Sequence, residues 1–247
     1  MKIRGELTNV TRDKLKNILV ESKNSIIKFS DYFFPHHKMD PEGKTIPAAN
    51  IHYEFEELLR GSVGYGRGQG YYNLLGILPR GTAKSTYATV FFAIWCAIFT
   101  NKRYILLVGA TTESIADHVE TLKEEVRSNS LLHLCGVRLD PNGKENSMHV
   151  DIIGPSVKGV KYLTGEKTIR ISAYSASSFP RGKKRGAQRP DLVIIDDLEK
   201  KKKGTQPGVE SKVYRDDIQD LFEASIVPSG FSAKTMQIIM LGTIMHE

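Results

Sequence analysis

What most constrains this chain is a repeated pair of signals between Tyr71 and Val126: a short, almost wholly apolar run, then a longer segment of helical character. "YNLLGIL" leads into "STYATVFFAIWCAIF", and "RYILLVGA" leads into "TTESIADHVETLKEEVRSN". The short runs have the length and composition of strands buried on both faces, as in parallel sheets covered by helices. Strand, helix, strand, helix in that order means a parallel sheet with right-handed crossovers.

The two helical segments differ. "STYATVFFAIWCAIF" is apolar on every face and reads as a buried helix. The second opens with threonines and Glu113 and carries Ile115, Val119, Leu122 and Val126 on one face, so it covers the sheet as an amphipathic helix. Upstream, Leu15, Ile18, Leu19 and Ile26 predict one helix from Thr11, its N-cap, to about Ser30. The three prolines of "YFFPHHKMDPEGKTIPAAN" break regular structure before a short amphipathic helix in "IHYEFEELLRG". "GSVGYGRGQGYYN" fits no dinucleotide fingerprint and reads as a flexible turn.

Downstream, "SMHVDIIG" and "TIRISAYS" are two β segments with no helix between them, expected as an antiparallel hairpin insertion. The parallel pattern resumes with "PDLVIID", a helix around Tyr214, Ile218, Leu221 and Phe222, and the strand "TMQIIMLGT". There is no internal repeat, and the one low-complexity piece is Lys200 to Lys203.

A phosphate loop needs inward-pointing backbone N–H groups, a lysine for the β and γ phosphates, and a hydroxyl for magnesium at a helix start. The segment "LPRGTAKST" offers these between strand and helix, with Gly81 in mid-loop, Lys84 as the phosphate lysine, and Ser85 and Thr86 opening the helix. It departs from G-x-x-x-x-G-K-S/T at Leu78 and Ala83, and the second departure is costly if φ there is positive. "PDLVIIDDLE" then delivers Asp196 and Asp197 to the C-terminal edge of a buried strand, the edge where the Lys84 loop must lie. Asp196 is expected to hold the magnesium shared with Ser85; Asp197, or alternatively Glu199, orients the water that attacks the γ-phosphate. Between these sites, Arg181, Lys183, Lys184, Arg185 and Arg189 form a cationic segment suited to a neighbouring subunit's γ-phosphate or to a DNA backbone. Thr243, ending the last strand, is placed to report the γ-phosphate through its hydroxyl.

Together, "LPRGTAKST", "SASSFPRGKKRGAQRPDLVIIDDLE" and "IIMLGTIMHE" resemble the ATPase domain of the large terminase subunit of tailed bacteriophages, from about Ile46 onward. Such domains often carry deviant loops of the form P-R-G-x-G/A-K-S/T, which accommodates Leu78 and Ala83. The resemblance implies a P-loop NTPase fold of the RecA-like kind: a central, mostly parallel sheet flanked by helices, with the hairpin inserted. It divides the chain into an N-terminal helical segment, 1–45, and an ATPase domain, 46–247, without the nuclease domain of full-length terminases. By the same resemblance ATP and Mg2+ are the ligands, and the loop Arg80, Gly81, Thr82, Ala83, Lys84, Ser85 and Thr86 holds the nucleotide. Arg80 senses its state, His52 lies where the family contacts the base unless it is structural, and Thr243 belongs to the coupling motif. Arg185 or Arg181 acts in trans. The implied partners are double-stranded DNA, the portal protein, the small terminase subunit and further copies of the chain in a ring, the isolated domain being monomeric. The alternatives are a superfamily-two-like helicase or other P-loop DNA translocase, and a nucleotide-binding DNA-binding module that hydrolyses nothing.

Composition agrees with this reading. The net charge of +7 fits a nucleic-acid partner, although an ordinary basic surface would give the same value. Cys96 and Cys135 form no Cys/His spacing of a zinc site, so a reducing compartment and no structural metal are expected. The most apolar run, Val90 to Phe99, is about half the roughly 20 residues of a membrane-spanning helix. With no signal-peptide core at the N-terminus a cytosolic location is expected, and the terminase resemblance implies the cytoplasm of an infected bacterial host.

Overall fold

The computed structural model describes residues 12–65, 72–156, 167–179, 188–198, 216, 218–230 and 236–243. Its centre is one eight-stranded sheet: β1 (Leu74–Leu78), β2 (Tyr104–Gly109), β3 (Arg138–Leu139), β4 (Glu145–Asn146), β5 (His149–Gly154), β6 (Lys167–Ser175), β7 (Leu192–Asp196) and β8 (Gln237–Thr243). Their spatial order is β1-β8-β7-β2-β6-β5-β3, with β4 paired to β5. The pairings from β1 to β6 are parallel. Those made by β5 are antiparallel. The expected hairpin of β5 and β6 is present, and it is continuous with the main sheet, because β6 also pairs with β2 over Tyr104–Gly109.

The connection from β1 to β2 leaves room for two strands that arrive much later in sequence. It is a helix that begins in a wider π register, Thr86–Phe92, and continues as α4, Ala93–Phe99. Every residue from Tyr87 to Phe99 is buried. One side faces the sheet and the other is covered by the N-terminal helices, which is why the segment is apolar all round. The Trp95 indole N–H donates to the Ser22 carbonyl at 2.8 Å, and Phe91 stacks on Phe34 with centroids 5.0 Å apart.

The N-terminal helix expected as one is two, α1 (Arg12–Asn24) and α2 (Ile26–Phe33). Ser25 is extended between them, and its hydroxyl accepts from the Lys28 N–H as the N-cap of α2. Glu56, on α3 (Asn50–Ser62), completes the break by accepting from the Ser25 hydroxyl and from the Ile27 N–H at 2.7 Å. Thr11, the expected cap, lies outside the described residues.

Alternation along the strands divides the interior. Ile105 and Leu107 of β2 join the core beneath α1–α4 and α5 (Thr112–Ser128); Tyr104, Leu106 and Val108 join a second core with Val193, Ile195, Ile226 and Ile238. Ile218, Leu221 and Phe222 pack against that second core, as expected of their helix. Tyr214, residues 66–71 of the Gly-rich stretch and Lys200 to Lys203 lie outside the described residues, while Gly61 and Ser62, expected in the turn, instead end α3. No helix among the described residues is long and apolar enough to cross a membrane.

Candidate active site

Parallel register brings four strand ends to one edge. Leu78 pairs with Thr243, Asp196 with Leu241, and Gly109 with Asp196. The loop after β1, the acids after β7 and the end of β8 are therefore neighbours, although Thr243 lies 159 residues beyond Lys84. In such sheets ligands bind outside the C-terminal ends of the strands.

The loop is built as its sequence demands. Gly81 has φ 79° with open space around it, so glycine is required there by conformation and not by crowding. Ala83 stands at φ 51°, the costly alternative anticipated from its sequence. The Thr82 hydroxyl donates to the Pro79 carbonyl at 2.9 Å, and its own carbonyl accepts from His52 Nε2 at 3.0 Å. His52 accepts from the Ala49 N–H at Nδ1 and stacks on Tyr87, with centroids 4.9 Å apart and planes 14° apart. Both ring nitrogens thus serve the backbone, and His52 buttresses the loop. Arg80 and Thr86 flank this core of the site, with Arg80 exposed and Thr86 beginning the π-register turn.

Two buried groups of opposite charge, Lys84 and Asp196, anchor the site. The Ser85 hydroxyl donates to Asp196 Oδ1 at 2.9 Å, and His118 Nε2 on α5 stands 3.6 Å from Oδ2. Lys84 Nζ donates to Thr243 Oγ1 at 2.6 Å and lies 3.4 Å from Asp197 Oδ2; the Thr243 hydroxyl donates to that same oxygen at 2.5 Å. Asp197 reaches it by an unusual backbone. Its N–H continues the ladder to the Leu241 carbonyl while φ is 36°.

Among the described residues, Ala83 and Asp197 are the only non-glycines with positive φ. Each such residue costs of order 1–3 kcal/mol, and such strain concentrates at functional sites. Here both strained residues border one lysine. The structure thus brings together Gly81, Thr82, Ala83, Lys84, Ser85, Asp196, Asp197, Thr243 and His52, while Arg181, Arg185 and Glu199 lie outside the described residues. His118 was not singled out from sequence. The available signal was its place in the first two turns of the helix that leaves β2 at this edge.

This fold is similar to solved phage large terminases. One is the Thermus phage P74-26 large terminase ATPase domain, at 13% identity over 81% of this chain and 71% of that one, with a TM-score of 0.42. Another is the HK97 bacteriophage large terminase, at 15% identity over 89% of this chain and 37% of that one, with a TM-score of 0.47. A third is the large terminase of a thermophilic bacteriophage in complex with ATP-gamma-S, at 12% identity over 75% of this chain and 36% of that one, with a TM-score of 0.41. No protein-family model matches the sequence, and no curated protein matches it either.

Proposed function

We propose that this chain is a Mg2+-dependent ATPase, the motor domain of a phage large terminase subunit that drives double-stranded DNA into a procapsid. The observation that carries the reading is that both strained non-glycines, Ala83 and Asp197, flank a buried lysine already bridged to Thr243 on the strand between them. A loop, an acid pair and a reporting hydroxyl at one sheet edge are what nucleoside triphosphate hydrolysis requires. The order of the three terminase-like sequence motifs supplies the packaging assignment.

In this reading the loop N–H groups and the start of the Thr86–Phe92 helix receive the phosphates. Lys84 leaves Thr243 and Asp197 for the β and γ phosphates. The hard oxygens of Ser85 and Asp196 suit Mg2+, which supplies charge neutralisation on the phosphate oxygens when bound. Asp197, freed from the lysine, orients a water for in-line attack and takes up its proton, yielding ADP and phosphate; Glu199 is the other candidate for that role. Thr243 changes partner between the closed and nucleotide-bound states and so transmits the γ-phosphate's presence to β8. Arg80 reads the loop side, and Arg181 or Arg185 of a neighbouring subunit completes the charge stabilisation, a contribution on the order of a thousandfold or more. Residues 46–247 form the ATPase domain, working in the host cytoplasm with the portal protein and small terminase subunit.

The test is Mg2+-dependent ATP hydrolysis per protomer across a wide protein concentration range, with Lys84→Ala as the blank. A specific rate that climbs with concentration and vanishes in the blank is expected. A flat specific rate would remove the trans arginine and favour a helicase-like enzyme complete in one chain. No hydrolysis above the blank at any concentration would leave a binding module.

A further inference from the structure

Away from the nucleotide edge, three ligand-type side chains converge where the N-terminal segment meets α5. Phe34 is the C-cap of α2, and a single 3-10 turn follows, Pro35–Lys38. Its two histidines both reach Glu125: His36 Nε2 lies 2.6 Å and His37 Nε2 2.9 Å from the same oxygen, Oε1. All three ligand atoms fall within 4.8 Å of one another.

The surroundings hold this triad in place. Glu125 is buried, and its other oxygen, Oε2, accepts from Asn129 Nδ2 at 3.1 Å. Asn129 is itself fixed, donating to the Phe33 carbonyl at 2.6 Å and accepting from the N–H groups of Leu131 and Leu132. The carboxylate therefore cannot rotate freely, and Oε1 is the oxygen left facing the imidazoles. His37 is wedged edge-on against Phe34 and Phe91, with centroids 6.4 and 5.7 Å away, and against His36 at 4.6 Å. Burial tends to raise the Glu125 carboxyl, but hydrogen bonds from His37, Asn129 and His36 outweigh it, and the net direction is downward. His36 has a side chain 49% exposed, which opens one side of the cluster to water.

We infer that His36, His37 and Glu125 form a binding site for a first-row divalent transition metal ion of the zinc type, with water in the remaining position. Two imidazoles and one carboxylate on a tetrahedral ion is an established donor set, whereas Mg2+ and Ca2+ favour oxygen alone. With bonds of about 2.0–2.1 Å, ligand atoms of such an ion stand about 3.3 Å apart. The nitrogen–oxygen separations of 2.6 Å for His36 and 2.9 Å for His37 must open by about 0.7 and 0.4 Å to meet this, within reach of imidazole rotation at the half-exposed His36. Proton balance is simple: each neutral imidazole that donates from Nε2 moves its proton to Nδ1 and offers Nε2 to the ion, with no net release. Asn129 acts as the outer-shell partner that orients the carboxylate. The occupied site would clamp the N-terminal helices to α5 across 88 residues of sequence, independently of any nucleotide.

The experiment uses the full chain, without a polyhistidine tag and stripped of metal, in excess Mg2+ to fill oxygen-only sites. Co2+ is titrated while visible absorption is followed, then displaced by Zn2+, and thermal denaturation is recorded with and without Zn2+. One Co2+ per chain with an intense ligand-field band, displaced by Zn2+, and a higher Tm with Zn2+ are expected. His36→Ala and Glu125→Gln should each weaken Co2+ binding by at least about tenfold and abolish the Zn2+-dependent rise in Tm. If Glu125→Gln fails to fold, the half-exposed His36→Ala decides alone. Absence of the band and of any Tm change at saturating metal overturns the proposal. So does binding that His36→Ala leaves intact.

Discussion

Replacing Thr243 by valine tests the bridge at the proposed nucleotide edge. The hydroxyl accepts from Lys84 at 2.6 Å and donates to Asp197 at 2.5 Å, both partners being charged. Hydrogen bonds to charged groups contribute about 1.5–3 kcal/mol each. Two effects reduce the loss. Lys84 already stands 3.4 Å from Asp197 and can close on it directly, and the Asp197 side chain is 38% exposed, so water replaces part of what it loses. The expected destabilisation of the nucleotide-free protein is therefore about 1–2 kcal/mol, or roughly 2–8 °C in Tm for a chain of this length. The bridge must open before Lys84 can reach a phosphate. Whatever it contributes to the free protein is thus subtracted from nucleotide binding, and Thr243→Val should bind ATP about 5- to 30-fold more tightly. Its hydrolysis rate should nevertheless fall, because β8 no longer registers the phosphate. Thermal denaturation with and without ATP, isothermal titration and steady-state hydrolysis measure all three. An unchanged Tm combined with weaker ATP binding would refute the account of a closed bridge that nucleotide must break.

Other perturbations separate conformation from chemistry. At Ala83, glycine relieves about 1–2 kcal/mol of left-handed strain but adds about 0.4–1 kcal/mol of unfolded-chain entropy, so Ala83→Gly should keep both stability and hydrolysis. Ala83→Val, β-branched at φ 51°, should lose ATP binding in the same titration; equal behaviour of the two variants would show that this backbone is not required. A pH effect arises at Lys167, which donates to the Thr100 carbonyl and whose ammonium burial and nearby Arg103 push down to about 8 from 10.5. The folded chain then holds this proton less tightly than the unfolded one. The resulting stability is present above pH 10.5 and is lost as pH falls through about 8, by at most about 3 kcal/mol. Tm measured from pH 7.5 to 9.5 should rise more steeply in the wild type than in Lys167→Met, and parallel curves would refute the assignment.

Much of this architecture was legible because the central strands β2 and β7 are buried on both faces and so are written as uninterrupted apolar runs. β1 has the same apolar composition but lies at the end of the sheet, where Leu75 and Ile77 are exposed, a correction to the reading of that run as doubly buried. The all-round apolar Thr86–Phe99 segment announced a helix buried on two sides, though not that α1 and α2 supply the second cover. The loop between β1 and the buried helix was legible too, down to the strain at Ala83, since its requirements are local. What escaped depends on partners remote in sequence. The break at Ser25 is enforced by Glu56, 31 residues on, and no local pattern announces it. The continuity of β6 with β2 is a pairing across most of an αβ unit. His118 and the His36–His37–Glu125 cluster become sites only when α5 is laid against the sheet edge at one end and the N-terminal segment at the other.

Trp95 is the chain's one tryptophan, and its setting makes it an optical probe that needs no label. The indole is wholly enclosed, bonded to α1 through Ser22, met edge-on by Tyr65 at 5.3 Å, and carried on the helix that starts at Lys84. Release of the N-terminal helices would wet the ring and shift its emission to the red before the sheet melts. A single fluorescence trace, set beside far-ultraviolet circular dichroism, therefore distinguishes detachment of the helical cover from global unfolding, and can follow whether nucleotide loosens or tightens that cover.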